Sequence, residues 1–476
     1  MIYLMCVAGI LAALVLISVV RALIHKKNLP VGCGYAEYTQ DDLLCAQRLA
    51  EMVRYKTIAA DAGGDPQVFE EYGKKLKALF PAFFKHAQET PIDGAFMWKI
   101  SGAGGQPPAL VLAHSDVVEA AGEWVRPPFA GIIEDGKVHG RGVIDNKGML
   151  CSALHAMDSL LQAGYVPRSD IYFVSTKNEE TTGAGAARCR EYFEQNGLRF
   201  ASILDEGGAV TCDAMPGIHN DMAMMGLCEK GYIDVRFTAK SSGGHSASPA
   251  KGTPLARLAG FIHYIEKHKI FDTKILPTVR DMFKAVSPHM SFPFRILLGN
   301  FWLYGPLLKV LLPVISPSVG SMLKTTMVFT RCEGSTANNV IPTKATAVAN
   351  IRNLPGESCE EVVGKLARIA ERYGLETEIL YQKPASSETP AKSEGVQALV
   401  NIIEQVFPGT VTAPYMTVGA TDCCRLDGLS DNIIRFSPLR STSDELSAMH
   451  GDNERVGIAE LGRAVTFFLT YFKCME

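Results

Sequence analysis

Histidine and acidic residues recur in short polar clusters along this chain of 476 residues. The clusters are His114 and Asp116 in AHSD, Asp145 and Lys147 in GRGVIDNKG, Glu179 and Glu180 in NEE, Asp205 and Glu206 in LDEGG, His245 in GGHSASP, Asn338 and Asn339 in NNVIP, Arg352 in ANIRN, Asp422 in GATD, and His450 in MHGDNE. Mixed imidazole and carboxylate ligands suit Zn²⁺, and Mn²⁺ or Co²⁺ accept the same set. The chemistry that such a set predicts is metal-assisted hydrolysis.

Each cluster alone is weak evidence, but three of them follow directly on strand-like runs. HSD follows PALVLA, NEE follows DIYFVSTK, and DEG follows FASIL. Helical spacing of apolar residues over 41–55 and 147–164 alternates with these runs. Such alternation predicts a largely parallel sheet with helices on both faces, and sites gather beyond the carboxyl ends of its strands. We therefore expect the three clusters to meet at one edge of the sheet.

A second unit interrupts this pattern. Residues 232–242 and 343–353 alternate like half-buried strands, and a helix is predicted over 357–373. The predicted division is a catalytic domain over 35–230 and 387–476, with an inserted α+β domain over 231–386. Within the insertion, an apolar segment covers about 270–325. Its core, 294–314, contains Arg295, Pro306 and Lys309, which favours a buried or interfacial helix over a membrane span.

The first 27 residues form a separate hydrophobic segment. Residues 2–20 are uncharged and mostly apolar, about the length that crosses a bilayer as a helix. Positive charge follows the span at Arg21, Lys26 and Lys27, which predicts an uncleaved membrane anchor with the catalytic domain on the cytoplasmic side. The alternative is a signal peptide and a secreted or extracytoplasmic protein.

Composition excludes other classes of protein. The net charge is −3 and no long basic block occurs, so nothing supports nucleic-acid binding. The 12 cysteines are scattered, which argues against a disulfide-dense scaffold. The apolar fraction of 47% is ordinary for a packed globular enzyme.

Taken in order, the motifs HxD, GRGxxDxKG, EE before a Gly, DEG, GGHSxxP, NVIP and HGxNE resemble those of one enzyme family. The chain is similar, over about residues 40–465, to the aminoacylase and carboxypeptidase S family of co-catalytic, two-metal zinc metallopeptidases. The resemblance implies a zinc-exopeptidase-like α/β fold: a mixed, mostly parallel sheet flanked by helices, with an inserted lid or dimerisation domain. Two motifs depart mildly from the family pattern, NEE in place of DEE and GATD in place of GGTD.

The same resemblance implies two Zn²⁺ ions per chain, with Mn²⁺ or Co²⁺ as substitutes. His114, Asp145 and Asp205 are expected to hold one ion. Asp145, Glu180 and His450 are expected to hold the other, with Asp145 bridging the pair.

Further roles follow from the motifs. Glu179 is the expected general base, since neighbouring side chains in extended backbone point opposite ways and Glu180 is assigned to the metal. Asp116 is expected to accept a hydrogen bond from the second ring nitrogen of His114. His245 is expected to stabilise the oxyanion. Arg352 and Asn339 are expected to bind the substrate carboxylate, although Arg352 also fits an ordinary strand charge.

The predicted activity is metal-dependent hydrolysis of amide bonds in small peptides that bear a free carboxylate, of the carboxypeptidase or dipeptidase type. An N-acyl amino acid amidohydrolase is the alternative with the same chemistry. A non-catalytic metal-binding membrane protein on the same fold is the alternative from another class. The expected partners are a peptide or N-acyl amino acid substrate, the membrane, and a second copy bound through the lid.

Overall fold

Helices and strands alternate along the chain, as the apolar periodicity predicts. The structure, a computed structural model, describes residues 2–27, 29, 37–212 and 218–474. The predicted domain boundary at residue 35 lies outside these residues. The helices are α1 (Ile2–Ile24), α2 (Gln40–Val53), α3 (Pro66–Leu79), α4 (Pro81–His86), α5 (Lys147–Gln162), α6 (Ala184–Gln195), α7 (Pro254–Lys267), α8 (Pro277–Val286), α9 (Phe292–Gly299), α10 (Phe301–Ile315), α11 (Pro317–Met322), α12 (Cys359–Arg372), α13 (Glu394–Val406), α14 (Ser443–Ser447) and α15 (Ile458–Cys474).

The strands form one large sheet and three smaller ones. They are β1 (Ala87–Ile92), β2 (Ala95–Ile100), β3 (Ala109–Leu112), β4 (Ile132–Glu134), β5 (Lys137–His139), β6 (Ile171–Thr176), β7 (Ser202–Asp205), β8 (Ala209–Thr211), β9 (Met222–Glu229), β10 (Tyr232–Lys240), β11 (Gly244–His245), β12 (Thr326–Glu333), β13 (Val340–Ile341), β14 (Lys344–Arg352), β15 (Leu375–Lys383), β16 (Val411–Thr417), β17 (Ile433–Arg435), β18 (Arg440–Ser441) and β19 (Arg455–Gly457).

The large sheet has the order β1-β2-β6-β3-β7-β17-β9-β8-β18, with β16 also paired to β9. Its central strands β6, β3, β7 and β17 run parallel, whereas β6 and β17 pair antiparallel with their outer neighbours β2 and β9. Every residue of β3, β6 and β7 is buried, as expected for strands covered on both faces. The predicted mixed α/β class is confirmed.

Helices cover both faces of this sheet. Val111 of β3 packs in the same core as Leu49 of α2 and Phe468 of α15. Its neighbours Leu110 and Leu112 point the other way, into a second core that contains Phe193 of α6. Side chains therefore alternate between the two faces of β3, and the strand packs against a helical layer on each side. This packing fixes where the carboxyl end of β3 lies.

A separate antiparallel sheet, ordered β12-β14-β10-β15, lies between Tyr232 and Lys383, inside the predicted insertion. Burial alternates along β14, so one face packs and the other faces solvent. The packed face shares a core with α7 and α12, formed by residues such as Phe237, Phe261 and Leu366. This sheet therefore has a hydrophobic core distinct from that of the large sheet.

The apolar segment differs from the single helix predicted over 294–314. Two helices, α9 and α10, meet there at an angle of 102°. Asn300 stands at the break, and its side-chain amide donates to the carbonyls of Ile296 and Ser18. Much of α10 is exposed rather than buried, including Val310 at 70% and Val314 at 81%. Among the described helices, α1 is long and apolar enough by itself to cross a membrane.

We predict that Leu49→Ala lowers the free energy of unfolding by about 2–5 kcal/mol, because a buried leucine leaves a cavity that only partly collapses. Leu49 is fully buried in the central core. The matched control is Leu44→Ala on the same helix, where the side chain is 42% exposed. That change should cost less than about 0.5 kcal/mol. Denaturant unfolding of the purified full chain measures both, and equal losses would contradict the placement of α2.

Candidate metal centre and active site

Five segments that are far apart in the chain meet beyond the carboxyl ends of the central parallel strands. His114 follows β3, Glu180 follows β6, and Glu206 follows β7. Asp145 lies just before α5, and His450 lies just after α14. The sheet order places β6, β3 and β7 side by side. The clusters therefore converge at one edge, as the sequence pattern predicts.

Asp145 lies between two imidazoles. Its Oδ1 is 2.9 Å from Nε2 of His114, and its Oδ2 is 3.1 Å from Nε2 of His450. Burial raises the pKa of Asp145. The hydrogen bonds to the two imidazoles have the larger, opposite effect, so the pKa of Asp145 lies below its ordinary value. The two oxygens of this one carboxylate therefore face the nitrogens of two different imidazoles.

Three further carboxylates surround the same imidazoles. Oε2 of Glu180 lies 3.5 Å from Nε2 of His450. Atoms of His114, Asp145 and Glu180 lie within 4.8 Å of one another, and so do atoms of His114, Glu179 and Glu206. Acids outnumber imidazoles in this group, so it carries an excess of negative charge. Bound cations would balance that charge.

The pKa values of the glutamates report the same excess of negative charge. Burial, then the charge of Asp145, raises the pKa of Glu180 to about 7. Burial raises the pKa values of Glu179 and Glu206 well above the ordinary range. Oε1 of Glu180 is buried and has no hydrogen-bond partner among the described residues. Divalent cations would satisfy this oxygen and favour the ionised carboxylates, so the residues fit a metal centre.

The structure brings Glu206, rather than the predicted ligand Asp205, to the imidazoles. Oε1 of Glu206 is 3.8 Å from Nε2 of His114. Both oxygens of Asp205 instead accept backbone N–H groups, from Glu206 at 2.9 Å and from Cys423 at 2.8 Å. Neighbouring side chains at a strand end point in opposite directions, so only one of the two acids can face the cluster.

Asp116 is positioned differently from the expectation. Nδ1 of His114 contacts the backbone carbonyl of Asp116 at 2.9 Å, whereas the Asp116 carboxylate is 3.5 Å away. That carboxylate accepts the backbone N–H groups of Glu179 at 3.1 Å and Glu180 at 3.0 Å. The two glutamates stand in a turn, not in extended backbone. Asp116 therefore holds the glutamate turn as well as His114.

Sequence reasoning gave no role to Glu454 within MHGDNE, and the structure shows one. Its fully buried carboxylate accepts the backbone N–H groups of Gly142 at 2.8 Å, Ile144 at 2.7 Å and Asp145 at 3.2 Å. It also forms a buried ion pair with Arg141 at 2.9 Å. These contacts fix the backbone that presents Asp145.

Arg141 extends the same network to the histidine loop. Its guanidinium donates to the backbone carbonyls of Met449 and Gly451, which flank His450. The ion pair between Arg141 and Glu454 thus joins the Asp145 loop to the His450 loop. The only sequence signal for it was that both residues stand inside the motifs GRG and HGxNE.

Lys147 and Asp422, from the motifs GRGVIDNKG and GATD, are both buried close to the site. Nζ of Lys147 donates to the carbonyls of Met52 at 3.2 Å and Tyr55 at 2.7 Å. The hydroxyl of Thr176 donates to Asp422, whose pKa is raised to about 7, mainly by burial. Both side chains are therefore paired with the surrounding fold.

His245 and Asn339 lie together in the inserted domain. His245 is in β11, which pairs with β13, and the carbonyl of Asn339 accepts the N–H of Ser246 at 3.1 Å. His245 is exposed, and its Nδ1 accepts the N–H of Ala247. None of the hydrogen bonds or ion pairs among the described residues joins this hairpin to the cluster around Asp145, which we call the metal-ligand cluster (His114, Asp145, Glu180, Glu206 and His450).

Arg352, the other predicted carboxylate ligand, ends β14 at a different place in the inserted domain. Its guanidinium lies 4.3 Å from the centre of the Tyr232 ring, and its Nε donates to Asn350 at 3.1 Å. Half-buried and stacked on an aromatic ring, it is held more firmly than a solvated strand charge.

An α/β sheet with acids and imidazoles gathered at its carboxyl edge defines the class of metal-dependent hydrolases. Residues 110–473 match the model of Peptidase family M20/M25/M40. The chain belongs to this family, and it is a metallopeptidase-type hydrolase that acts on amide bonds. The predicted membership of the carboxypeptidase S and aminoacylase type is confirmed.

Two relatives illustrate the range of activities around this chain. The N-fatty-acyl-amino acid synthase/hydrolase PM20D1 of Xenopus tropicalis is 30% identical over 89% of this chain and 84% of its own length. The probable carboxypeptidase S-like 2 of Dictyostelium discoideum is 31% identical over 92% of this chain and 86% of its own. Both names describe enzymes that act on an amide bond, but only the first name specifies a fatty acyl group.

Solved structures share the fold at low sequence identity. The M20 family metallo-carboxypeptidase Sso-CP2 from Sulfolobus solfataricus has a TM-score of 0.64, with 18% identity, and the match covers 92% of this chain and 99% of that one. Human carnosine dipeptidase 1 has a TM-score of 0.61, with 14% identity, and the match covers 91% and 97%. These similarities support the fold alone.

We predict that Asp116→Asn lowers kcat/KM for amide hydrolysis by about 10–100-fold, the usual effect of losing a group that orients metal ligands. The carboxylate accepts a hydrogen bond from each of two backbone N–H groups, of Glu179 and Glu180. The amide would turn its NH₂ group toward one of them, and that hydrogen bond would be lost. The matched control is Asp61→Asn, an exposed residue whose carboxylate accepts hydroxyls of Thr181 and Thr182 in the same turn. Steady-state kinetics should show less than about a twofold change for the control. Similar losses in both variants would contradict a special role for Asp116.

Proposed function

We propose that this enzyme uses two divalent metal ions to hydrolyse amide bonds in small substrates that bear a free carboxylate. The observation that carries the proposal is the position of Asp145, 2.9 Å from His114 and 3.1 Å from His450. A cation beside each imidazole would share this one carboxylate. Paired metals about 3.5–4 Å apart are within the span of such a bridge.

We assign His114, Asp145 and Glu206 to one ion, with Glu206 taking the place first given to Asp205. Asp145, Glu180 and His450 would hold the other. Zn²⁺ is the preferred ion for this ligand set, and Mn²⁺ or Co²⁺ would also bind. Bound there, the ions would supply Lewis acidity and a water of lowered pKa.

Glu179 is the proposed general base. Its carboxylate belongs to the group within 4.8 Å that includes His114 and Glu206, so it would lie beside the proposed ion. Its task is to accept a proton from the attacking water and then donate it to the departing nitrogen. The Asp116 carboxylate accepts a hydrogen bond from the backbone N–H of Glu179 at 3.1 Å, and this contact would keep the base at a fixed distance from His114.

The inserted domain would complete the site. We assign the oxyanion to His245, which would approach the scissile carbonyl on closure of the lid. Arg352 and Asn339 would bind the substrate carboxylate, and the guanidinium fits it with two parallel hydrogen bonds. The lid is also the proposed contact of a homodimer.

The substrate proposal has two forms with the same bond chemistry. One is a carboxypeptidase or dipeptidase, in keeping with the name of the Dictyostelium relative. The other is a hydrolase of N-acyl amino acids, and the exposed apolar face of α10 favours it for long acyl chains. We propose further that α1 anchors the enzyme in a membrane. The basic residues after the span favour a cytoplasmic catalytic domain, and a secreted or extracytoplasmic form is the alternative.

A substrate panel tests the proposal. Purified full chain, with its metals quantified, is incubated with dipeptides, N-acetyl amino acids and N-oleoyl amino acids, and the released amino acid is measured. We expect hydrolysis only of compounds with a free carboxylate, loss of activity with a chelator, and recovery with Zn²⁺, Mn²⁺ or Co²⁺. Equal hydrolysis of the corresponding amides would contradict carboxylate recognition. Full activity in chelator would contradict the metal dependence.

Glu179→Gln should lower kcat by about 10²–10⁴-fold, the usual contribution of a general base, because the amide cannot accept the proton. Both ions should remain bound, because this residue is not one of the proposed ligands. The control is Glu119→Gln, an exposed acid on the neighbouring loop, which should keep normal kcat. Near-normal turnover of Glu179→Gln would remove the base from the mechanism, and loss of metal would make Glu179 a ligand.

The choice between Glu206 and Asp205 is testable by metal content. We expect Glu206→Gln to lose about one of the two ions per chain, because it removes a proposed ligand charge. Asp205→Asn should retain both ions but lower thermal stability, because one of its two backbone hydrogen bonds is lost. Elemental analysis of each purified variant measures the bound metal. The opposite pattern would return the ligand role to Asp205.

A further inference from the structure

A cavity of about 740 Å³ lies away from the metal-ligand cluster, between α1 and the helices of the apolar segment. Its walls come from the last turn of α1, from α8, and from the bend between α9 and α10. Six of its lining side chains are basic or imidazole groups: Arg21, His25, Arg280, Lys284, Arg295 and Lys309. No acidic side chain lines it among the described residues.

The neighbouring acid Asp281 neutralises only part of this charge. Asp281, next to the cavity, pairs with Lys284 at 2.9 Å and lies 3.9 Å from Arg280. Among the described residues, no ion pair involves Arg21, Arg295 or Lys309. The cavity therefore keeps an excess of positive charge in a partly enclosed space, where an anion would be screened little by solvent.

Arg295 is the most informative of these residues. It is only 8% exposed, and its Nε is buried without a hydrogen-bond partner. Its guanidinium lies 5.8 Å from the centre of the Phe292 ring. A buried guanidinium with an unsatisfied donor is costly, so an anion in the cavity would supply what Arg295 lacks.

The cavity lies at the end of the hydrophobic span of α1. Ser18 of α1 is fully buried, and its Oγ lies 2.9 Å from the hydroxyl of Tyr304. Its carbonyl accepts the side-chain amide of Asn300 at 3.1 Å. These contacts join the last turns of α1 to the bend between α9 and α10. A span ends at the depth of lipid headgroups, so the cavity opens at that depth.

Apolar side chains continue from α1 across the surface of α10. Leu23 and Ile24 are 59% and 72% exposed, and Val310 and Ile315 are 70% and 66% exposed. Trp302, at 52% exposure, lines the cavity itself, and tryptophan is enriched at membrane interfaces. Exposed apolar side chains beside a span are suited to lipid rather than to water.

We propose that this cavity binds the phosphate headgroup of an anionic phospholipid of the membrane that α1 spans, with α10 lying among the acyl chains. The inference rests on the proposed anchor, and it is independent of the proposed hydrolysis. Arg295, Arg21 and Lys309 would contact the headgroup, and α10 would lie beside the lipid tails. The apolar segment then fixes how the catalytic domain is oriented on the bilayer.

The test measures lipid binding to the purified full chain in a neutral detergent. Native mass spectrometry counts bound lipid, and the fluorescence of Trp302 reports occupancy; a Trp302→Phe variant identifies its signal. The probes are phosphatidylglycerol, phosphatidylcholine, inorganic phosphate and an N-oleoyl amino acid. We expect one phosphatidylglycerol per chain, bound at least about tenfold more tightly than phosphatidylcholine.

Three variants locate the site. Arg295→Gln should weaken phosphatidylglycerol binding about tenfold, and Lys309→Gln should weaken it severalfold. Lys267→Gln, an exposed lysine on α7 outside the cavity, is the control and should bind normally. If Arg295→Gln fails to fold, the exposed Lys309→Gln still decides the question, together with Arg21→Gln.

Several results would overturn the proposal. Equal affinity for the two phospholipids, or normal binding by Arg295→Gln and Lys309→Gln, would exclude a headgroup site. Displacement of the lipid by millimolar inorganic phosphate would indicate a site for soluble anions. Tighter binding of the N-oleoyl amino acid would make the cavity a substrate site. Because binding needs no turnover, the same measurement with Glu179→Gln separates failure of this proposal from failure of the proposed chemistry.

Discussion

The structure depends on holding one buried carboxylate, that of Asp145, between the buried imidazole of His114 and the exposed imidazole of His450. Asp145 is buried, as is His114, and an unsatisfied charge there would be costly. The N-terminus of α5 follows directly, and the positive end of its helix dipole favours a negative charge there. The backbone N–H of Asp145 is held by Glu454, whose charge is balanced by Arg141. A chain of buried contacts thus leads from the proposed metal bridge into the fold.

The accumulation of acids explains both the need for cations and the separation of roles. Glu179, Glu180 and Glu206 all have raised pKa values because burial disfavours their charged forms. Cations would return the ligands to the ionised state. An acid that remained uncoordinated beside the cations would be free to take up a proton and release it later. The glutamate turn, held by Asp116, gives both kinds of carboxylate from adjacent residues.

The four-stranded sheet of the inserted domain and the apolar segment have separate hydrophobic cores. The four-stranded sheet has its own hydrophobic core, so it can move as a lid while the metal ligands stay fixed. The apolar segment packs instead with β16 and the end of α1, on the side of the large sheet where Met416 is buried. The proposed lid and the proposed membrane contact therefore belong to different hydrophobic cores of the insertion.

The sequence by itself determined the elements and the composition of the site. Apolar periodicity predicted β3, β6, β7 and α5, because burial on both faces leaves a direct mark on local sequence. Since parallel strands end at one edge, it also predicted that His114, Glu180 and the DEG motif would converge. Only the tertiary structure shows that Glu206, and not Asp205, lies beside His114, because both acids stand in the same motif and the direction of the strand end separates them.

Tertiary structure also decided the contacts that join distant segments. Arg141 and Glu454 are 313 residues apart, and no local pattern records that a buried guanidinium will meet a buried carboxylate. The bend at Asn300 likewise involves a hydrogen bond to Ser18 of another helix. The sequence of residues 294–314 does not record that contact, and it predicted one helix where there are two. Hydrophobic period and motif spacing are properties of short stretches of chain, whereas the partner of a polar side chain is chosen by the packing of the whole fold.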